Sequence, residues 1–210
     1  AALRYIYLQG HLLARQRSEL SARIQSLQAR IRPHFLFNSM NIIASLIGKD
    51  PDAAETVVLD LADLFRASLK EAGAEVTLAH ELDLCRRYIG IEQLRMGERL
   101  KVDWQVGDTP LDDLRIPLLT LQPLLENAVY HGIHPLPAGG TVTVAVSYRD
   151  GQVRITVTNP VAPAPGETPG HRGNRMALEN IRHRLVALYG PTAQGEGGRR
   201  GDTYGTTLQY

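Results

Sequence analysis

The sequence predicts a helical module followed by an α/β sandwich. Three observations lead there. Leucines and isoleucines recur at helical intervals over the N-terminal half, valines alternate in steps of two over the C-terminal half, and the texture changes near Lys101. A chain of 210 residues has room for one large domain or two modest ones. The change of pattern places a border near residue 100, giving a helical part over 1–100 and a sandwich over 101–210.

The first helix is marked by Leu13, Leu20 and Leu27, spaced by seven, with Ile24 and Ile31 at the same interval. Alternating steps of four and three make a short coiled-coil seam. Pro33 lacks an N–H and clashes with the carbonyl of Ala29, which predicts a kink. Helical character resumes through Phe35, Leu36, Ile42, Ile43, Leu46 and Ile47, and Gly48 ends it. In the next helix Asp50 caps, Pro51 suits the first position and Asp52 favours the positive dipole end. Val57, Val58, Leu61, Leu64, Phe65 and Leu69 form its apolar face, and Gly73 closes it. So thin a helical hairpin cannot bury its own stripe, so pairing with a second copy into a four-helix bundle is expected. A third helix runs from about Leu78 to Arg99.

Strands follow. Val102, Trp104 and Val106 alternate; so do Val142, Val144 and Val146; Asp150-Gly151 makes a tight turn, and Val153, Ile155 and Val157 alternate again. A helix ending near His131 lies between the first two. A Pro/Gly-rich loop (160–173), a helix (about 176–189) and a last weak strand complete an antiparallel-rich α/β sandwich.

Composition narrows the function classes. Hydrophobic residues are 43% and charged residues 21%, ordinary for a soluble globular chain. A net charge of +1 argues for neither nucleic acid nor an acidic substrate. The charge is uneven: Arg4, Arg15, Arg17, Arg23, Arg30 and Arg32 stand against Glu19 alone in residues 1–32. Such a block suits phosphates, the inner margin of a membrane, or a plain solvated face. No apolar run approaches the roughly 20 residues needed to span a bilayer. The opening AALRYIYLQG lacks an initiator Met, so a longer chain is expected, with Tyr5 and Tyr7 suiting the end of a preceding membrane helix. A single cysteine, Cys85, excludes an internal disulfide and reads as a small core residue.

Three segments carry candidate chemistry. In RPHFLFNSMN (32–41), His34 and Asn38 lie one turn apart on one helix face. The imidazole can accept a phosphoryl group and the amide can orient a proton or water. Extending the leucine seam would bury His34, but Pro33 resets that phase, so spacing leaves its orientation open. In LQPLLENAVYHG (121–132), Leu121, Leu124, Leu125, Ala128 and Val129 form a core stripe. Asn127, Tyr130 and His131 cluster on another face. Thr120 is the expected cap, with Pro123 in the first turn. An Asn in such a cluster suits Mg²⁺ held by phosphates; a surface Asn is the plainer reading. The third segment, 159–185, brings His171, Arg172 and Arg175 to a helix start, where free N–H groups attract anions. A lid over a triphosphate and an ordinary surface loop both fit it.

Taken together these segments resemble the LytS-type sensor histidine kinases, from about residue 22 onward. The motifs are Pro33 to Asn38; Tyr88, Ile91, Glu92 and Arg95; Leu121 to Gly132; and Asn180, Arg184 and Leu185. GNRMALENIRHRL and the Asn159-Pro160 strand end bring it nearest the alginate-regulator sensor (AlgZ-like) branch. The resemblance implies a homodimeric bundle with dimerisation and phosphotransfer helices over 1–100, and a GHKL (Bergerat) ATP-binding domain over 101–210. It further implies a protein-histidine kinase that phosphorylates itself on His34, assisted by Asn38. The nucleotide would be held by Asn127, Tyr130, His131, Asn159, Arg172, Gly173, Arg175 and Asn180, with Asn127 on Mg²⁺. The phosphoryl group would pass to a response regulator receiver domain, of LytTR type, and the chain would be the cytoplasmic part of a bacterial inner-membrane protein.

Three departures stand out. Asn159, Pro160 and Val161 replace the family's adenine-reading Asp and following glycines. An Asn carbonyl can still accept from the adenine amine but lacks charge, and one weakened charge-assisted bond costs roughly 1–2 kcal/mol, on the order of tenfold in affinity. Ala177 occupies a usual glycine position, and Phe35 follows the histidine where many kinases place an acid, so the general base is unidentified, with Glu92 a candidate. Two other readings compete: a degenerate kinase serving as phosphatase or scaffold, and a stand-alone GHKL ATPase, which leaves the PHFLFN hairpin unexplained.

Overall fold

A computed structural model describes residues 33–70, 74–162 and 170–210. The leucine seam, the basic block of 1–32 and the loop 163–169 lie outside the described residues. The chain divides into two compact units, one ending at Glu55 and one running Thr56–Tyr210.

In the first unit, the described residues begin with helix α1 (Pro33–Leu46). Its termination follows the expectation at Gly48: Lys49 and Asp50 return their N–H groups to the carbonyl of Leu46, 2.9 and 2.8 Å away. Helix α2 (Pro51–Leu69) starts in this unit and continues into the second. Asp50 caps it as expected, its Oδ1 accepting the N–H of Ala53 at 3.0 Å.

The second unit continues with β1 (Glu75–Thr77), α3 (Leu78–Met96), a 3₁₀ turn (Gly97–Arg99), β2 (Leu100–Gln105) and β3 (Arg115–Pro117). Then come α4 (Gln122–Asn127), a π-helical turn (Ala128–Ile133), β4 (Gly140–Arg149) and β5 (Gln152–Pro160). Helix α5 (Gly170–Tyr189), β6 (Gln194–Arg200) and β7 (Thr203–Gln209) complete it. Five strands form one mixed sheet, β2-β4-β5-β7-β6, and β1 with β3 makes a small antiparallel pair. The antiparallel-rich expectation holds, because only β2 with β4 is parallel.

Alternation explains which face is buried. Val142, Val144 and Val146 of β4, Val153, Ile155 and Val157 of β5, and Leu208 of β7 all point inward. Against them lie Leu82, Ile91, Leu125, Ile133, Ile181 and Leu185 from the helical layer, each almost wholly buried. Cys85 is buried and unpaired with sulfur, as its apolar setting implied. The β4–β5 hairpin turns at Asp150 (φ 53°) and Gly151 (φ 78°), the left-handed pair that an Asp-Gly turn supplies.

Helix α3 is integral to this second unit. Thr77 caps it, Oγ1 accepting the N–H of His80 at 3.1 Å. Arg87 joins it to α2, with Nη1 2.7 Å from Asp60 and 3.2 Å from Asp63, and Nε 2.8 Å from Asp83 of its own helix. Arg86 lies 5.2 Å over the Trp104 ring of β2. Helix α5 begins at Gly170, earlier than the sequence suggests, because its apolar stripe through Ile181 and Leu185 starts well after its first turn. Strand β6 carries Gly195 and Gly197, where a Cβ would meet Leu178 at 3.4 and 3.0 Å. Those glycines let α5 approach the sheet closely.

Candidate functional site

His34 lies in the first turn of α1 and is exposed. Asn38, half-buried one turn later, places its Nδ2 3.1 Å from Nδ1 of His34 and 3.5 Å from Nε2. The imidazole thus faces solvent with an amide partner on the same helix, and Ser39 beside them returns its hydroxyl to the carbonyl of Phe35 at 2.8 Å. The spacing left the orientation of His34 open, and in the structure its side chain is exposed.

The second group sits where α4 passes into the π turn. Asn127 is half-buried at the end of α4. The following residues adopt i→i+5 bonding, with the N–H of His134 on the carbonyl of Val129 at 2.8 Å. The sequence reading assumed regular α spacing, in which Asn127, Tyr130 and His131 share a face. The π turn widens that spacing and leaves Tyr130 exposed and His131 half-buried. Tyr130 meets His131 edge-on, centroids 5.0 Å apart, and stacks on His134 at 5.9 Å.

Gly132 is the close-approach point of this turn. A Cβ there would lie 2.1 Å from Nδ2 of Asn159 and 3.0 Å from the Pro160 carbonyl oxygen. Asn159 is thereby seated against the π turn, 5% exposed, with Nδ2 donating to the carbonyl of Pro160 at 2.9 Å. That bond orients the amide and directs its oxygen away from Pro160. Arg172, Gly173 and Arg175 fall in the first turns of α5; their side chains lie outside the described residues. Asn180 is exposed on α5, one turn before Arg184, and Ala177 is half-buried. Glu92 is buried and paired with Arg95, whose Nε is 3.0 Å from its carboxylate.

Sequence reasoning missed what holds this turn in place. The expected cap, Thr120, instead donates its hydroxyl to the carbonyl of Pro117 at 2.6 Å. The amides leading into α4 are taken by Glu81 of α3. Its Oε2 accepts from Leu119 at 2.9 Å, and its Oε1 accepts from Leu121 at 2.8 Å and Gln122 at 3.5 Å. Burial raises the Glu81 carboxyl above the usual range, and the amides of Leu121, Leu119, Gln122 and Thr120 oppose that shift. From the other side Arg184 donates to the carbonyls of Leu118 (3.1 Å) and Leu119 (3.0 Å). Leu119 between them has φ 58°, a left-handed conformation costly for a leucine. Beyond the π turn, Arg99 donates to the carbonyls of His134 (3.1 Å) and Leu136 (2.9 Å). The signal for Glu81 was weak, since its partners lie 38 to 41 residues away.

Residues 22–100 match the family model described as histidine kinase. The chain is 35% identical to the sensor histidine kinase YpdA of Escherichia coli strain K12, over 80% of this chain and 31% of that protein. It is 35% identical to the sensor protein LytS of Oceanobacillus iheyensis, over 82% of this chain and 32% of that one. The chain spans about a third of the length of these curated relatives. Among solved structures, a blue-light activated histidine kinase of Erythrobacter litoralis aligns at 18% identity and a TM-score of 0.47, covering 84% of this chain and 57% of that one.

Proposed function

Because the chain belongs to the LytS-type sensor histidine kinase family, we propose that it phosphorylates itself on His34 from ATP and passes the phosphoryl group to a response regulator. The observation that carries this reading is an exposed His34 imidazole held by Asn38. Either end of the Asn38 amide suits Nδ1: the nitrogen donates to a bare Nδ1, and the oxygen accepts from a protonated one. In the second arrangement Nε2 keeps its lone pair, which is the nucleophilic form. Asn38 thus holds the ring in either tautomer.

Asn127, Tyr130, His131, Asn159, Arg172, Gly173, Arg175 and Asn180 are the proposed nucleotide contacts, with Asn127 on Mg²⁺ through the phosphates. The fit rests on Gly132, whose missing Cβ seats Asn159 beside the turn that follows Asn127, and on the hard amide oxygen that Asn127 offers. ATP with Mg²⁺ supplies the transferable phosphoryl group and charge neutralisation. The division at residue 100 is kept as a functional one, with α3 packed on the nucleotide-binding side.

A homodimer is supported by apolar side chains left exposed on the helices: Phe37, Met40 and Ile47 in the first unit, Val58 and Leu59 in the second. Among the described residues no helix is long and apolar enough to cross a membrane; attachment through a preceding segment, a cytoplasmic location and a LytTR-type regulator complete the proposal. A scaffold or phosphatase role is favoured by one observation, the uncharged Asn159 amide bonded to its own chain.

Titration calorimetry with ADP and ATP, with and without Mg²⁺, separates the two. The kinase reading expects saturable heat below about a millimolar, stronger with Mg²⁺. No heat at millimolar nucleotide leaves the scaffold.

A further inference from the structure

Resting on that nucleotide-binding reading, we infer that Glu81 and Arg184 are positioning residues that set the orientation of α4, and through it Asn127, for Mg²⁺-nucleotide. The nucleotide-facing turn is fixed at both ends by side chains that lie outside it. At its start, one fully buried carboxylate takes three backbone N–H groups and one guanidinium takes two consecutive carbonyls. At its end, Arg99 takes the carbonyls of His134 and Leu136.

Apart from the Thr120 hydroxyl on the Pro117 carbonyl and the Leu118 amide on the Ala74 carbonyl, the start is held by Glu81 and Arg184. Leu121, the residue at the N-cap position, makes no side-chain cap bond, and Leu119 sits in a left-handed conformation that its surroundings must enforce. A carboxylate suits this place because it only accepts, with two oxygens in a plane. A glutamine there would turn an NH₂ group towards backbone donors and lose at least one bond. Asn127 follows Gln122 by five residues of helix, so a tilt at the start is carried straight to it. Glu81 belongs to α3, whose buried face is packed on this unit, so the anchor is as rigid as the core.

The test uses the full chain and ADP, titrated with and without Mg²⁺ at a temperature where every variant is folded. Glu81→Gln is expected to weaken Mg²⁺-ADP binding about tenfold and to shrink the advantage that Mg²⁺ confers. Glu81→Asp should restore part of both. Val153→Ala, a core truncation at the far end of β5, should lower the melting temperature while leaving the affinity and the Mg²⁺ advantage unchanged. That contrast separates positioning from mere stability. Should Glu81→Gln fail to fold, Arg184→Lys, which keeps the charge and loses the two-carbonyl fork, carries the same expectation. Wild-type affinity and Mg²⁺ advantage in the folded variants would overturn the inference. A wild-type chain that takes up no nucleotide would remove the parent reading and this one together.

Discussion

His34→Gln is expected to abolish transfer of label from γ-labelled ATP to the protein in the presence of Mg²⁺. Gln is close in reach to His and keeps a polar end, so α1 should remain intact; the residue is exposed, and its partner Asn38 stays solvated on the helix surface. What disappears is the ring nitrogen with a free lone pair, for which an amide nitrogen is no substitute. The two halves of the function separate cleanly: nucleotide affinity of the variant should equal that of the parent, while covalent phosphate falls to background. Acid-labile phosphate is the readout, because phosphohistidine does not survive acid and phosphoserine does. Persistent acid-labile label in the variant would remove His34 from its role.

The second large effect is at Gly132. In an ordinary helix interior, Gly→Ala stabilises by roughly 1 kcal/mol. Here the sign reverses. The new methyl would lie 2.1 Å from Nδ2 and 2.7 Å from Cγ of Asn159, distances no packing tolerates. Asn159 cannot yield freely, since it is buried, bonded to Pro160 and paired in register with Tyr204 of β7. Either its amide rotates and leaves a buried donor unmade, at about 1–3 kcal/mol, or the π turn lifts off β5, at a similar strain of about 1–3 kcal/mol. Both outcomes move Asn159 relative to the turn after Asn127. Gly132→Ala should therefore lose ten- to hundredfold in nucleotide affinity, measured by calorimetry, with a lower melting temperature. A variant that is more stable and binds normally would show that the close approach has no functional weight.

How much of this was legible in the sequence depends on the range over which the signal acts. Local signals carried well. Asp50 caps α2, Asp150-Gly151 turns the hairpin, the valines alternate as written, and the His34–Asn38 pair forms at its expected one-turn spacing. Signals that depend on distant partners did not. Glu81 reads as one more helical acid until its amide partners beyond residue 118 are in place. Arg184 was visible as a motif residue, but its carbonyl partners lie 65 and 66 residues upstream. Strand β6 hides behind glycines that weaken strand propensity and are kept for the approach of Leu178. The π turn was hidden because Ala128–Ile133 has the composition of an ordinary helix; Gly132 alone hints at it.

The parallel pairing of β2 with β4 has a consequence for how the chain is made. Residues 100–105 leave the ribosome well before residues 140–145, their one strand partner among the described residues, and the stretch synthesised in the interval includes α4 and the π turn. The strand must therefore wait, with Val102 and Trp104 unpaired, until the helical crossover has been produced. The crossover that carries α4 and the π turn is thus tied into the sheet at both ends only once residues 140–145 have been made and paired with β2.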